Sequence, residues 1–237
     1  MEEVSASRFV SPEEWRRARV ALLEREKRFT RERDELSAAR RALPQVQVDK
    51  TYVFDTDRGV ETLNDLFKGR SQLIIYHFMF GLDWAEGCPS CSFWIDNFDG
   101  IDVHLAARDT TFLCASTASI ATLGAYKKRM GWRVDWVSSG RSEFNIDFGV
   151  TFPGRELGPT KGYNFSGKVY GEEMPGLSVF RRYPNGTISH AYSTYGRGLD
   201  ILNGAYHLLD VTPKGRDEGG LDFSMAWLRR RDQYGPE

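Results

Sequence analysis

The sequence predicts an α/β domain with parallel strands at its core, preceded by a long charged helix. Three observations carry this. From Thr51 to Ser139 strand-like and helix-like runs alternate in the order β-α-β-α-β, which argues for parallel strands with helices on their faces. The run "SQLIIYHFMF" is apolar on both faces, as in the middle of a sheet. The stretch "GLSVFRRYPNGTISHAYSTY" alternates on either side of Asn185-Gly186, a strong hairpin signal.

Taken in order, Ser11-Pro12-Glu13-Glu14 opens a helix: Ser11 suits the N-cap, Pro12 the first position and Glu14 a capping box. This helix should run to about Ala42 and stop before Pro44. Trp15, Leu22, Phe29, Leu36 and Leu43 recur every seven residues among Arg and Glu, one narrow apolar stripe on a charged rod. Such a stripe packs on the arm's own domain or on a second subunit. "KTYVFDT" then reads as a strand, "RGVETLNDLF" as a turn and short helix, and "SQLIIYHFMF" as the central strand. A helix follows from about Ser90 through Ala106. "TTFLCAST" is a strand, "SIATLGAYKKRMG" a helix and "WRVDWVSS" a strand. Residues 139–173, rich in Gly, Asn, Asp and Pro, read as an irregular insertion. After the hairpin, "GRGLDILNGAYHLLDVTP" carries a helix from near Leu199, and "FSMAWLRRRDQY" is short, basic and aromatic. The organisation expected is an arm (1–46), a domain (47–212) with its insertion, and a C-terminal extension (213–237).

Composition narrows the function. With 237 residues, 41% of them hydrophobic, a core of ordinary size is within reach. A net charge of -1 gives no global electrostatic case for nucleic acid. The polar, acidic start lacks the basic and apolar regions of a signal peptide, and "LIIYHFMFGL" is about half a membrane span. A cytoplasmic protein without membrane or nucleic-acid partners is expected. In a reducing compartment, a close cysteine pair points to redox or metal chemistry.

Such a pair lies in "EGCPSCSFW", which holds two of the three cysteines. Cys88 directly follows the buried strand, where a helix begins. The unpaired N–H groups and positive dipole end of that helix stabilise an anion, so the Cys88 thiol should ionise easily. Cys91 lies about one turn on, within reach as a resolving thiol. Two small core side chains are the plain alternative. Zinc would need two further ligands, whereas Cys114, His77 and His104 are dispersed; copper(I) would need only the two thiolates. Dithiol–disulfide chemistry is the leading reading, with no metal and no cofactor beyond the redox-active disulfide. In "EEMPGLSVF", Pro175 on composition alone is a turn residue.

The order of strand, Cys-x-x-Cys helix, strand, Met-Pro, hairpin and helix resembles the thioredoxin-like superfamily from about Thr51 to Leu209. Within it, "LIIYHFMFGLDWAEGCPSCSFW", "GLSVF", "YSTYGRGLD" and "DVTPKGR" are similar to the DUF899 family of bacterial thioredoxin-like proteins, over nearly the whole chain. The resemblance implies a thioredoxin-like fold, a central mixed sheet flanked by helices, with the arm and the insertion as additions. It also implies a dithiol–disulfide oxidoreductase. By the same resemblance Met174-Pro175 becomes a cis bond beside Cys88, with the Met174 backbone open to an incoming chain or thiol. Thioredoxin itself has Trp before its first Cys and Gly-Pro between the pair; here Gly87 precedes and Pro89-Ser90 lies between. Peroxiredoxins carry Thr three residues before their peroxidatic Cys, where this chain has Ala85.

The remaining candidates are Trp84, close to the pair, and Tyr192 and Arg197 in "SHAYSTYGRG". On an alternating strand His190 and Tyr192 share a face and could supply a proton donor, with Arg197 an anion clamp. Asp83 and Glu86 could accept the Cys88 proton or raise its pKa by like-charge repulsion. "RRRD" at Arg229–Asp232 reads as solvated or interface charge. The expectation is a homodimeric thiol–disulfide oxidoreductase acting on a disulfide or thiol substrate, protein or small molecule, and restored by a thiol reductant. The alternatives are a redox-sensing or metal-handling module, a peroxiredoxin-like enzyme, and a specialised metabolic enzyme using the same cysteines.

Overall fold

The computed structural model describes residues 8–155, 157 and 161–235. The chain divides into two compact units, Met1–Pro44 and Gln45–Glu237. The first is built on helix α1 (Pro12–Arg41). Its start follows from its sequence: Ser11 Oγ accepts the Glu14 N–H and the Glu14 carboxylate accepts the Ser11 N–H, both at 3.2 Å. Ion pairs such as Glu13–Arg17 and Glu24–Lys27 lie along its surface. No residue of α1 is buried, and Trp15, Leu22, Phe29 and Leu36 are between 46% and 63% exposed.

The second unit is an eight-stranded mixed sheet in the order β1-β8-β7-β4-β5-β6-β2-β3. Its strands are β1 (Val46–Gln47), β2 (Val53–Thr56), β3 (Gly59–Thr62), β4 (Gln72–His77), β5 (Thr110–Ser116), β6 (Trp136–Ser138), β7 (Gly176–Arg182) and β8 (Ile188–Tyr195). Strands β4, β5 and β6 are parallel, linked by α2 (Pro89–Phe98), α3 (Asp102–Ala106) and α4 (Ile120–Met130). The β7–β8 hairpin adds antiparallel to β4, and α6 (Gly204–Leu209) follows it. Strand, cysteine helix, parallel strand and antiparallel hairpin make the fold thioredoxin-like.

Alternation along β4 separates two cores. Tyr76 and Phe78 point into the layer that holds Cys91, Trp94, Cys114, Tyr126 and Trp136. Leu73 and Ile75 point the other way, into a layer closed by Phe144 on α5 (Phe144–Asp147) and by Phe148 and Phe180. The central strands are therefore covered on both faces, as their unbroken apolar run requires.

Several elements differ from expectation. Gly59–Thr62 is a strand, not part of a helix; it pairs with β2 across a turn at Asp57-Arg58, and only Asp65–Phe67 is helical, as a 3-10 turn. The helix expected from Ser90 to Ala106 breaks at Asp99 and Gly100. Asp99 leaves helical geometry, and its Oδ1 accepts the N–H groups of Arg133 and Val134 at 2.7 and 3.0 Å; Gly100 then takes a left-handed φ of 89°. In β8 a bulge interrupts the alternation: Val179 pairs with Tyr192 but Phe180 with His190. The insertion contributes α5 and 3-10 turns, and an isolated antiparallel bridge joins its Thr151 to Glu173 at its end. Residues 156 and 158–160 lie outside the described residues. Among the described residues no helix is long and apolar enough to cross a membrane.

Candidate active site

Cys88 occupies the N-cap of α2 and Pro89 its first position, so the junction forms as the sequence predicts. The chain makes a compact loop to reach it: the Cys88 N–H donates to Met79 O at 3.1 Å. Gly87 is required by close packing. A Cβ there would lie 2.8 Å from both Phe78 Cε1 and Tyr126 Cε1. Cys88 is half-buried and Cys91 buried, and all three cysteines are free thiols. The Cys91 N–H donates to Cys88 Sγ at 3.5 Å, and the Met79 N–H donates to Cys91 Sγ at 3.5 Å.

These contacts give the two thiols different acidities. The Cys91 thiol hydrogen-bonds Cys88, and the N–H groups of Cys91 and Ser90 add to it. Together they bring the Cys88 thiol down to about 7 against the cost of burial. Burial pushes Cys91 well up, and a charge on Cys88 pushes it further, while the Tyr76 hydroxyl and the Met79 N–H oppose this. Cys114, opposite Tyr76 on β5, is also pushed up by burial. Cys88 is thus the more easily ionised thiol of the pair, and Cys91 the one that burial keeps protonated. Among the described residues no group of three or more His, Cys, Asp or Glu is placed to hold a metal ion.

The Glu86 carboxylate, two residues before Cys88, is held by two arginines. Arg129 pairs with one carboxylate oxygen and Arg230 with the other at 2.8 Å. The Arg129 hydrogen bond holds the carboxyl below its ordinary range.

The Met174-Pro175 peptide is trans; no cis bond occurs among the described residues. This corrects the geometry that the resemblance implied. The Met174 N–H is also not open, because it donates to Val150 O at 2.8 Å. The insertion holds the segment: Thr151 bridges Glu173, and Tyr163 Oη donates to Pro175 O at 2.7 Å while accepting the Gly196 N–H at 2.6 Å. Pro175 still enters the sheet beside the end of β4, since Gly176 pairs with His77. Tyr163 is near enough to Cys91 for a charge there to raise its own pKa further, after burial.

Of the other predicted residues, Trp84 lies in the loop ahead of Cys88, half-exposed and packed on Gly81, where a Cβ would meet its Nε1 at 2.8 Å. Tyr192 is the cross-strand partner of Val179, which packs against the core layer containing Cys91. The β8 bulge turns His190 to the opposite layer. There its ring contacts Phe148 and Phe180, and its Nε2 meets Ser193 Oγ at 2.7 Å. Arg197 is directed to Asp200 at 3.1 Å and is largely exposed. The cations beside the cysteine loop are Arg129 and Arg230 instead.

Sequence reasoning missed three contributors. Tyr76 sits in the apolar run of the central strand, where nothing local marks it out. Glu173 is buried, accepts from Thr117 Oγ1 at 3.0 Å and from Thr151 Oγ1 at 3.1 Å, and is pushed up to about 7 by burial. Its neighbour Pro175 was the only visible signal. Arg230 touches the cysteine loop across 143 residues of chain, with no local pattern to announce it.

The chain belongs to the family described as bacterial protein of unknown function (DUF899), whose model matches residues 4–234. No curated protein matches it. Among solved structures it is similar to peroxidoxin BcpB from Mycobacterium tuberculosis, at 12% identity and a TM-score of 0.46, over 67% of this chain and 91% of that one. It is similar to peroxiredoxin Q from Xanthomonas campestris at 17% identity and 0.42, over 70% and 90%. It is also similar to the yeast mitochondrial 1-Cys peroxiredoxin at 16% identity and 0.40, over 71% and 78%.

Proposed function

We propose that this family member is a thiol–disulfide oxidoreductase whose working group is the Cys88–Cys91 dithiol. The observation that carries the reading is the division of labour at the start of α2: a half-buried Cys88 stabilised as an anion, over a buried Cys91 that stays protonated. Cys88 thiolate attacks one sulfur of a substrate disulfide, forms a mixed disulfide and expels the other sulfur as a thiolate. Cys91 then gives up its proton and attacks Cys88 Sγ. The second substrate thiolate leaves, and Cys88–Cys91 becomes a disulfide. Two electrons have passed from the dithiol to the substrate, and an external thiol reductant restores the pair. No further cofactor is called on. The reading assigns the protein to the cytoplasm and takes Trp84, Tyr192 and the Met174-Pro175 segment as the substrate-facing surface. It also takes the working form as a homodimer.

The test is to trap the intermediate. Cys91→Ser leaves Cys88 without its resolving partner, so incubation with a small aromatic disulfide should yield a stable adduct of one substrate thiol on Cys88, found by mass spectrometry. The wild-type protein should pass on to the internal disulfide. If neither protein ever carries substrate sulfur on Cys88, the mechanism is wrong.

A further inference from the structure

The extension beyond α6 returns to the cysteine loop. Glu218 Oε1 accepts from Tyr206 Oη, the Met225 N–H and Trp227 Nε1, at 2.8 to 2.9 Å, and the Trp227 ring packs edge-on against Phe93 of α2. Leu228 is buried, and the next residues are basic. Arg231 reaches Asp96 and Met130 O at 3.5 and 3.3 Å, while Arg230 turns inward with only 13% of its side chain exposed.

Arg230 has an unusual set of partners. Its Nε and Nη2 both donate to Gly87 O, at 3.1 and 2.8 Å. Its Nε also lies 3.1 Å from Tyr126 Oη, and its Nη1 pairs with Glu86 at 2.8 Å. Tyr126 Oη is 2.9 Å from Ser92 Oγ, which donates to Cys88 O at 2.8 Å. The donors run in one direction: guanidinium to phenol, phenol to hydroxyl, hydroxyl to carbonyl.

We infer that Arg230 is a positioning residue for Cys88, because it grips the carbonyls on both sides of that residue, Gly87 directly and Cys88 itself through Tyr126 and Ser92. This deepens the proposed function and rests on Cys88 being the nucleophile. The physical consequence is local. The N–H groups of Ser90 and Cys91 stabilise the sulfur only while the first turn of α2 is held at this angle. The same guanidinium neutralises Glu86, which would otherwise repel a thiolate two residues away. A Lys in its place would keep the charge but lose the fork that reaches Gly87 O, Tyr126 and Glu86 together.

The experiment is the pH dependence of iodoacetamide alkylation of Cys88 in the full reduced chain, mapped by mass spectrometry. Arg230→Gln should move the midpoint up by about one unit, roughly a tenfold loss of thiolate below the midpoint. Arg230→Lys should fall between that and wild type. Tyr126→Phe, which cuts only the branch to Cys88 O, should give a smaller upward shift and serves if Arg230→Gln does not fold. Arg231→Gln, in the same segment without contact to Gly87, should match wild type. A wild-type midpoint at the value of an ordinary thiol removes the nucleophile reading and this one with it. A low wild-type midpoint that the Arg230 and Tyr126 variants leave unmoved, even with lowered melting temperatures, overturns the role of Arg230 alone.

Discussion

Glu173 shows how one side chain can bind stability to pH. Its folded pKa of about 7 lies above the ordinary value of 4.5, because burial disfavours the charged form. A raised carboxyl favours folding fully below pH 4.5, and the advantage fades as pH rises through 7. Above that, the fold carries a buried carboxylate held by two threonine hydroxyls. Glu173→Gln keeps the shape without the charge. Urea unfolding should therefore show the variant and wild type alike at pH 4.5 and the variant more stable at pH 8, by up to roughly 3 kcal/mol. A difference that does not change with pH would contradict this. Residues of this kind were the least legible in the sequence. Cys88, Cys91 and Pro89 announce themselves through spacing and through the strand ahead of them. The surroundings of Glu173 come from Thr117 and Thr151, which the fold alone brings together.

Among the elements, those with strong local chemistry were readable. Ser11 and Glu14 cap α1; Ser119 caps α4, and Gly131 ends it with a left-handed φ of 70°. Asn185-Gly186 makes the β7–β8 turn, with Gly186 at a φ of 87°. Where the deciding contact is distant, the local sequence carries no sign of it. Asp99 ends α2 by capping N–H groups of the chain entering β6, and the β8 bulge sends His190 to the other face. The trans Met174-Pro175 bond belongs here too, since the resemblance carried no information about the insertion that ties down its flanks. Helix α1 supplies the element-scale prediction. Side chains such as Trp15, Leu22, Phe29 and Leu36 contribute about 1.5–3 kcal/mol each when fully buried, and in the single chain they are exposed. Sedimentation should give a species of twice 27.0 kDa. Leu22→Glu with Phe29→Glu should reduce it to the monomer mass. A wild-type protein already at the monomer mass would remove the dimer.

At the scale of the whole molecule, the mixed sheet brings the cysteine loop and the Met174-Pro175 segment to the C-terminal end of β4. Strand β4 delivers the chain to Cys88, β7 begins beside the end of β4 with Pro175 just ahead of it, and the C-terminal segment closes on the loop through Arg230. A cavity of about 230 Å³ lies elsewhere, against Arg58, Lys68, Lys127 and Asp135, with no cysteine in its wall. The central claim is that Cys88 and Cys91 form a reversible two-electron couple. Its most direct test is equilibration of the full chain across a series of glutathione redox buffers, followed by acid quenching, alkylation and mass spectrometry. Cys88 and Cys91 should lose their thiols together in one two-electron step, joined to each other, while Cys114 stays reduced throughout. A pair that remains as two thiols at every ratio, or that accumulates only glutathione adducts without an internal disulfide, would contradict it.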